Sequence, residues 1–379
     1  MRSLFFFTCL CLATQSAFAE TRGNLAARLQ PYVDHHVMAG AVTLVADKDK
    51  VLDVSAVGFA DVAAKTPMKT DDLFWIASMT KPITCTALMM LVDEGKVNVD
   101  DPVEKYLPDF KGMWVAVEKD NNHVLLKPPV HPITVRNVLS HTSGLGSKTP
   151  VEEPTADAVP LVVRAHSYPM TQLQFQPDSN YFYSNEGINT VGRIVEVASG
   201  QSYAEFVEQR ILKPLGMTDT TFWPSEEQAR RLAKPYRANK DKSDIEETTV
   251  TALRYPLSDR TRIALPAGGL FSTAADLVKF CQMLLHGGEL GGKRYLSQKS
   301  FEEMTRRQTA PDVKTSYGFG LTLGNGTFGH GGAYSTNMTV DPAHNLITVF
   351  MVQNAGWRNA DGGKIEPEFR KAALETFGK

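Results

Sequence analysis

A serine and a lysine three residues apart stand at the head of one of the most apolar stretches of the chain. They are Ser78 and Lys81, within FWIASMTKPITCTALMMLVDEGK at residues 74–96. Residues 83–92, ITCTALMMLV, are apolar on nearly every side of a helix, the pattern of a helix buried all round. Gly95 marks its end. Pro82 is tolerated only in a first turn, so the start falls near Ser78. Ser78 is therefore expected at a helix N-terminus, where free N–H groups and partial positive charge converge and a developing oxyanion is stabilised. Lys81 shares that face, and burying its ammonium lowers its pKa. A hydroxyl, a cation of depressed pKa and a helix N-terminus together describe an activated nucleophile. S-x-x-K alone arises by chance about once in a chain of this length; its place at the mouth of a buried helix is what singles it out.

The elements that must hold this pair follow from periodicity. GAVTLVAD (40–47) and KVLDVSAVG (50–58) are β-rich runs joined at Lys48-Asp49, a predicted hairpin. The middle of the chain is mainly helical: residues 184–200 and 202–216 carry 3.6-type spacing and each ends at a glycine. Residues 272–288 form another helix, with Thr273 and Asp276 in a capping-box pattern. Strands then return as YGFGLTLG, an Asn325-Gly326 turn, TFGHGG, NMTVDP and NLITVFMVQN. EPEFRKAALETF closes the chain as a helix, and WVAVEKDNNHVLLK (114–127) reads as a small hairpin inside the helical region. The expected fold class is α/β (α+β): one antiparallel sheet built from both chain ends, flanked by helices, with an inserted mainly helical lobe. The sheet lobe spans about residues 20–77 and 260–379 and the helical lobe about 78–259, with the cleft between them as the default site.

Composition narrows the partners. Among 379 residues, 42% are apolar and 22% charged, the make-up of an ordinary soluble protein. The net charge of −2 offers no basic field for nucleic acid or an anionic membrane. Residues 1–19, MRSLFFFTCLCLATQSAFA, read as a signal peptide cleaved after Ala19, which implies a secreted or periplasmic protein. Their apolar run is too short to span easily, and the residues before Cys9 and Cys11 do not look like a lipoprotein cleavage site, so no stable membrane anchor is expected. Loss of Arg2 takes the net charge from −2 to −3. Cys85 and Cys281 remain in the mature chain and read as buried free thiols, with a single disulfide between them left open. No H-E-x-x-H or other metal spacing occurs, so neither metal nor cofactor is expected. His35-His36 reads as surface.

Two further motifs accompany Ser78 and Lys81: Tyr183-Ser184-Asn185, and His330-Gly331-Gly332 at the end of a predicted strand. S-x-x-K, then Y-x-N, then a basic residue before a glycine resembles the penicillin-binding protein and serine β-lactamase family. NVLSHTSGL (137–145), PAGGLFSTAADLVKF (266–280) and GHGGAYSTNMTVDP (329–342) resemble its branch of class C β-lactamases, DD-peptidases and family VIII esterases. The resemblance runs over most of residues 22–355. It implies a β-lactamase/transpeptidase-like fold and acyl transfer through an acyl-enzyme on Ser78. Lys81 would hold Ser78 and Tyr183 in a hydrogen-bonded set. Tyr183 would be the general base, its phenolate favoured by Lys81. Asn185 would orient Lys81 and contact the acyl group, His330 and Gly332 would lie on the substrate side of the cleft, and the backbone N–H groups of Ser78 and Ala333 would form the oxyanion hole. His141 and Ser143 resemble a structural hallmark of the family and stay outside the catalytic set. Ser202, in the near-elbow GQSYA, reads as a helix cap because Ala204 replaces the last glycine.

The third motif departs from the lactamases, which carry lysine there followed by a hydroxyl residue. His330, at an unperturbed pKa of about 6.5, is mostly neutral near pH 7 and would gain charge in mild acid. Capture of a substrate carboxylate should be weak. The leading reading is thus a secreted serine hydrolase, a carboxylesterase of broad acyl specificity acting on a small ester, amide or lactam. A DD-peptidase, D-aminopeptidase or weak β-lactamase is the alternative, and a non-catalytic binding or sensor module on the same fold is a third. The sequence leaves the oligomeric state open.

Overall fold

The computed structural model describes residues 25–147 and 149–378; the expected signal peptide lies outside them. Two β-rich runs near the start form the predicted hairpin, β1 (Gly40–Ala46) and β2 (Val51–Asp61). Asp47 shapes its turn, its carboxylate accepting from the N–H groups of Asp49 (2.9 Å) and Lys50 (2.8 Å). A short β3 (Thr66–Pro67) follows. The strands from the far end are β4 (Thr322–Gly324), β5 (Thr327–Gly331), β6 (Asn337–Asp341) and β7 (Leu346–Met351). Asn325 and Gly326, both at positive φ, make the tight turn between β4 and β5.

The seven strands form one antiparallel sheet in the order β4-β5-β6-β7-β1-β2-β3. Its seam is β1 against β7, with Val42 opposite Met351 and Leu44 opposite Val349. Residues from opposite ends of the chain thus meet at the centre of the sheet, as the strand runs at both chain ends lead one to expect. Side chains alternate between two cores. Val42, Leu44 and Ala46 join the main core, whereas Ala41 and Val45 pack with Ile365 and Phe369 of the C-terminal helix Ile365–Phe377.

Four helices matter to the site: α1 (Thr80–Asp93), α2 (Val135–Ser140), α3 (Asn185–Ser199) and α4 (Ala274–Leu285). Every residue of α1 from Thr80 to Leu91 is buried. It packs between α3 and the helix Gln298–Thr305, while α4 covers β6, β7 and β1. The 114–127 hairpin is present as Val115–Lys119 paired with Val124–Lys127. Cys85 and Cys281 are free and buried.

Two segments differ from expectation. The helix predicted over 202–216 is a short α-turn, Tyr203–Val207, continued by a wider π-turn, Glu208–Leu212. In YGFGLTLG only Thr322–Gly324 is strand. Alternation of aromatic residues and glycine reads as a strand, but Gly320 sits at φ +68° and its N–H donates to the Leu139 carbonyl. A Cβ there would come within 2.5 Å of Cys85 Sγ. The chain therefore bends against α1 and carries Tyr317 into the interior.

The all-round burial of α1 predicts that Leu88→Ala, which removes a fully buried side chain, destabilises the protein by about 2–5 kcal/mol in urea unfolding. A change below about 1 kcal/mol would show that α1 is not packed on all sides.

Candidate active site

Ser78 lies in a 3₁₀ turn, Ala77–Met79, immediately before α1, with Pro82 in the first turn of the helix. Ala77, a non-glycine residue, is held at φ +45°, a sparsely populated conformation that persists only where its surroundings impose it. The segment 266–270 imposes it. Ile76 N–H donates to the Leu270 carbonyl (3.0 Å), Trp75 Nε1 to the Gly268 carbonyl (2.8 Å), and Leu270 N–H to Thr80 Oγ1 (3.2 Å).

Lys81 Nζ is fully buried and meets three oxygens: Ser78 Oγ at 3.0 Å, Asn185 Oδ1 at 2.9 Å and the Ala267 carbonyl at 2.7 Å. All three are neutral. Desolvation brings its pKa down from the ordinary lysine value to about 7. Protonation state then follows from counting donors. An ammonium donates to all three oxygens. An amine has two N–H groups for the two carbonyl-type oxygens, which can only accept, and its lone pair faces the Ser78 hydroxyl.

Asn185 is the first residue of α3. Ser184 caps that helix, its Oγ accepting from Gly187 N–H at 2.9 Å. One turn on, Asn189 Oδ1 accepts from Ala267 N–H (3.1 Å), and Thr84 Oγ1 donates to the Pro266 carbonyl (2.7 Å). These contacts aim the Ala267 carbonyl at Lys81. Sequence reasoning missed this acceptor, because a main-chain carbonyl has no residue type to betray it; Asn189, four residues after Asn185, was the available signal.

Tyr183 stands beside Ser78, whose hydroxyl works against burial in setting the phenol's pKa. The expected phenolate is not what the geometry favours. Lys81 Nζ lies over the face of the Tyr183 ring, 4.7 Å from its centroid, and burial raises the phenol's pKa. Tyr183 is therefore a neutral phenol at rest. His141, set aside in the sequence as structural, holds it there. At the end of α2, with φ 63°, His141 accepts from Phe182 N–H with its carbonyl (3.0 Å) and from Ser184 N–H with Nδ1 (3.1 Å). Its ring packs 4.6 Å from that of Tyr183.

The third motif closes the site from β5. A Cβ on Gly332 would lie 2.0 Å from Thr336 Oγ1 and 2.7 Å from the Ile76 carbonyl. Only glycine lets the strand end approach the nucleophile turn this closely. Gly332 thus sets a close backbone approach between the end of β5 and Ile76, two residues before Ser78. Neither the Ser78 nor the Ala333 N–H donates to an acceptor among the described residues. His330 is placed differently from the expected cleft-facing, titrating group. It is 6% exposed, both ring nitrogens are bonded within the protein, to Tyr317 and to the Gly331 carbonyl, and burial with Lys81 nearby pushes its pKa down to about 3. Mild acid does not charge it. Ser202 caps the 203–207 helix at the surface, and His35 and His36 are exposed, as the sequence suggested.

The sequence pattern described as Beta-lactamase matches residues 25–366. The chain belongs to the Beta-lactamase family. An uncharacterized protein of Mycobacterium tuberculosis is 33% identical over 88% of this chain and 90% of its own. Esterase EstB of Burkholderia gladioli is 28% identical over 92% and 95%. Among solved structures, EstCE1, a hydrolase with promiscuous acyltransferase activity, superposes with a TM-score of 0.76 at 22% identity, covering 92% of this chain and 98% of its own. The fold is thus that of the β-lactamases and transpeptidases, and the chain is a serine hydrolase of this family. No helix among the described residues is long and apolar enough to cross a membrane.

The two adjacent glycines separate backbone approach from side-chain contact. Gly332→Ala is expected to lose about 100-fold or more in kcat, the scale of a displaced oxyanion donor, assayed at a temperature where the variant is folded, because so close a Cβ also costs about 1–3 kcal/mol of stability. Gly331→Ala, whose Cβ would meet its nearest atom at 3.6 Å, should remain near wild type. Equal losses in both would refute the assignment.

Proposed function

We propose that this protein is a secreted carboxylesterase of broad acyl specificity working through an acyl-enzyme on Ser78. The observation that carries the chemistry is the Lys81 amine facing Ser78 Oγ at 3.0 Å, with its other two contacts taken by carbonyl-type oxygens. Lys81 accepts the Ser78 proton as Oγ bonds to the ester carbonyl carbon. The carbonyl electrons move to oxygen, which the Ser78 and Ala333 N–H groups stabilise. Collapse breaks the bond to the alkoxy group, which takes a proton from the Tyr183 phenol, and the Lys81 ammonium then gives its proton to the phenolate, restoring phenol and amine. Water then attacks the acyl-enzyme by the same route, releasing the acid and freeing Ser78.

The preference for neutral esters is supported by His330. Where a lactamase presents lysine, this cleft has a buried neutral imidazole, so a free carboxylate on the substrate gains no charge-assisted contact, an interaction worth about 1.5–3 kcal/mol. Similarity to esterase EstB points the same way. Export rests on the apolar leader ending at Ala19.

The test is kcat/KM for p-nitrophenyl butyrate, a D-Ala-D-Ala peptide and nitrocefin, with mass mapping of a fluorophosphonate adduct. The ester should be the best substrate by about tenfold or more, and the adduct should lie on Ser78. A peptide preferred over the ester would make the protein a DD-peptidase, and a label elsewhere would remove Ser78 from the mechanism. The pH profile has a defined sign. The amine of Lys81 is the active form, so activity rises through pH about 7 and falls about tenfold per unit in acid below it. A flat profile between about pH 5.5 and 8.5 would show that Lys81 is not the base.

A further inference from the structure

The direction of every hydrogen bond around His330 can be assigned from partners that can play only one role. The Gly331 carbonyl only accepts, so His330 Nδ1 carries the proton and donates to it at 2.7 Å. His330 Nε2 is then an acceptor and takes the O–H of Tyr317 at 2.9 Å. The opposite end is fixed as well. Ser184 N–H donates to His141 Nδ1 at 3.1 Å, so the proton of the neutral His141 ring is on Nε2, 3.3 Å from the Tyr317 oxygen. Tyr317 therefore accepts from one imidazole and donates to the other. The three residues come from separate segments, all are buried, and their bonds run in one direction.

We propose that Tyr317 is the positioning residue that sets the charge preference of the cleft, by locking His330 into its neutral Nδ1–H form so that no cation stands at the third motif. The proposal rests on the ester-hydrolase reading and deepens it. To become charged, His330 would have to donate from Nε2. The Tyr317 oxygen could accept only by turning its own hydrogen away. The other side of that oxygen faces His141 Nε2–H, so a buried hydroxyl hydrogen would be left without an acceptor. Of the surroundings, the Gly331 carbonyl favours charge, and burial with Lys81 outweighs it. Among the described residues, the titratable groups acting on this cluster include Lys81, Cys85, His141, Tyr181, Tyr183 and Tyr317. Desolvation and Lys81 both hold the imidazole neutral.

The test uses Tyr317→Phe, which removes one oxygen from a buried ring and keeps its shape. Nitrogen-15 imidazole spectra of the histidine-labelled full chain, with the His330 signal assigned by its loss in His330→Gln, should show a single Nδ1–H tautomer in the wild type, unchanged from about pH 5 to 8. In Tyr317→Phe, protonation of Nε2 should appear, as a second tautomer or as the cation. The kcat/KM ratio for p-nitrophenyl hemisuccinate over p-nitrophenyl butyrate should rise about threefold or more below pH 6 in the variant, and stay flat with pH in the wild type. A wild-type His330 that carries Nε2–H, or titrates near 6.5, overturns the proposal. So does a variant ratio unchanged from wild type, even if the spectrum moves. Failure of the esterase reading has a different signature: neither ester is turned over. The ratio is then taken on a peptide with a free or amidated C-terminus, with the same expected rise.

Discussion

The active site depends on an ammonium-forming group placed where water cannot reach it and no carboxylate balances it. Lys81 Nζ is surrounded by a hydroxyl, a side-chain amide oxygen and a backbone carbonyl. A carboxylate in any of those places would hold the lysine charged and its lone pair occupied. Neutral acceptors satisfy its hydrogen bonds without offsetting desolvation, so the proton becomes easy to lose near neutral pH. In the proposed mechanism, the same residue takes the Ser78 proton and then holds it in place.

Much of the surrounding fold can be understood as support for this arrangement. α1 is buried throughout, so its first turn cannot shift without disturbing the main core. α3 contributes two asparagines one turn apart, Asn185 to Lys81 and Asn189 to the backbone of Ala267. Segment 266–270 holds the strained turn at Ala77 and supplies an acceptor to the lysine at the same time. The sheet enters through Gly332, whose lack of a side chain lets β5 reach the Ile76 carbonyl. Contacts distant in sequence therefore converge on a few ångströms around Ser78 Oγ.

The placing of Ser78 and Lys81 together at the head of a buried helix was legible in the sequence because the signal is local: a short spacing, a proline and an apolar run define the helix and its start. The hairpin at Lys48-Asp49, the Asn325-Gly326 turn and a sheet drawn from both chain ends were legible for the same reason, turn chemistry and alternation being short-range. The electrostatic state of the site was not. A phenolate at Tyr183 follows from mere proximity to a cation; whether that cation meets the oxygen or the ring face depends on the path of α3. A titrating His330 follows from the free imidazole value; its neutral form comes from burial and the nearby Lys81, and its tautomer from Tyr317 and the main chain of Gly331. Tyr317 was hidden because YGFGL reads as strand, whereas a close approach of Gly320 to Cys85 bends it inward.

The proposed chemistry at Ser78 requires one amine, that of Lys81, to be uncharged near neutral pH. Carbon-13 labelling of lysine at Cε allows the titration of Lys81 to be followed by NMR in the intact protein, with Lys81→Arg identifying its signal. The expected midpoint is near pH 7, well separated from the exposed lysines. A midpoint at the ordinary lysine value of about 10.4 would mean that Lys81 is an ammonium throughout the working range, and that some other group takes the proton from Ser78.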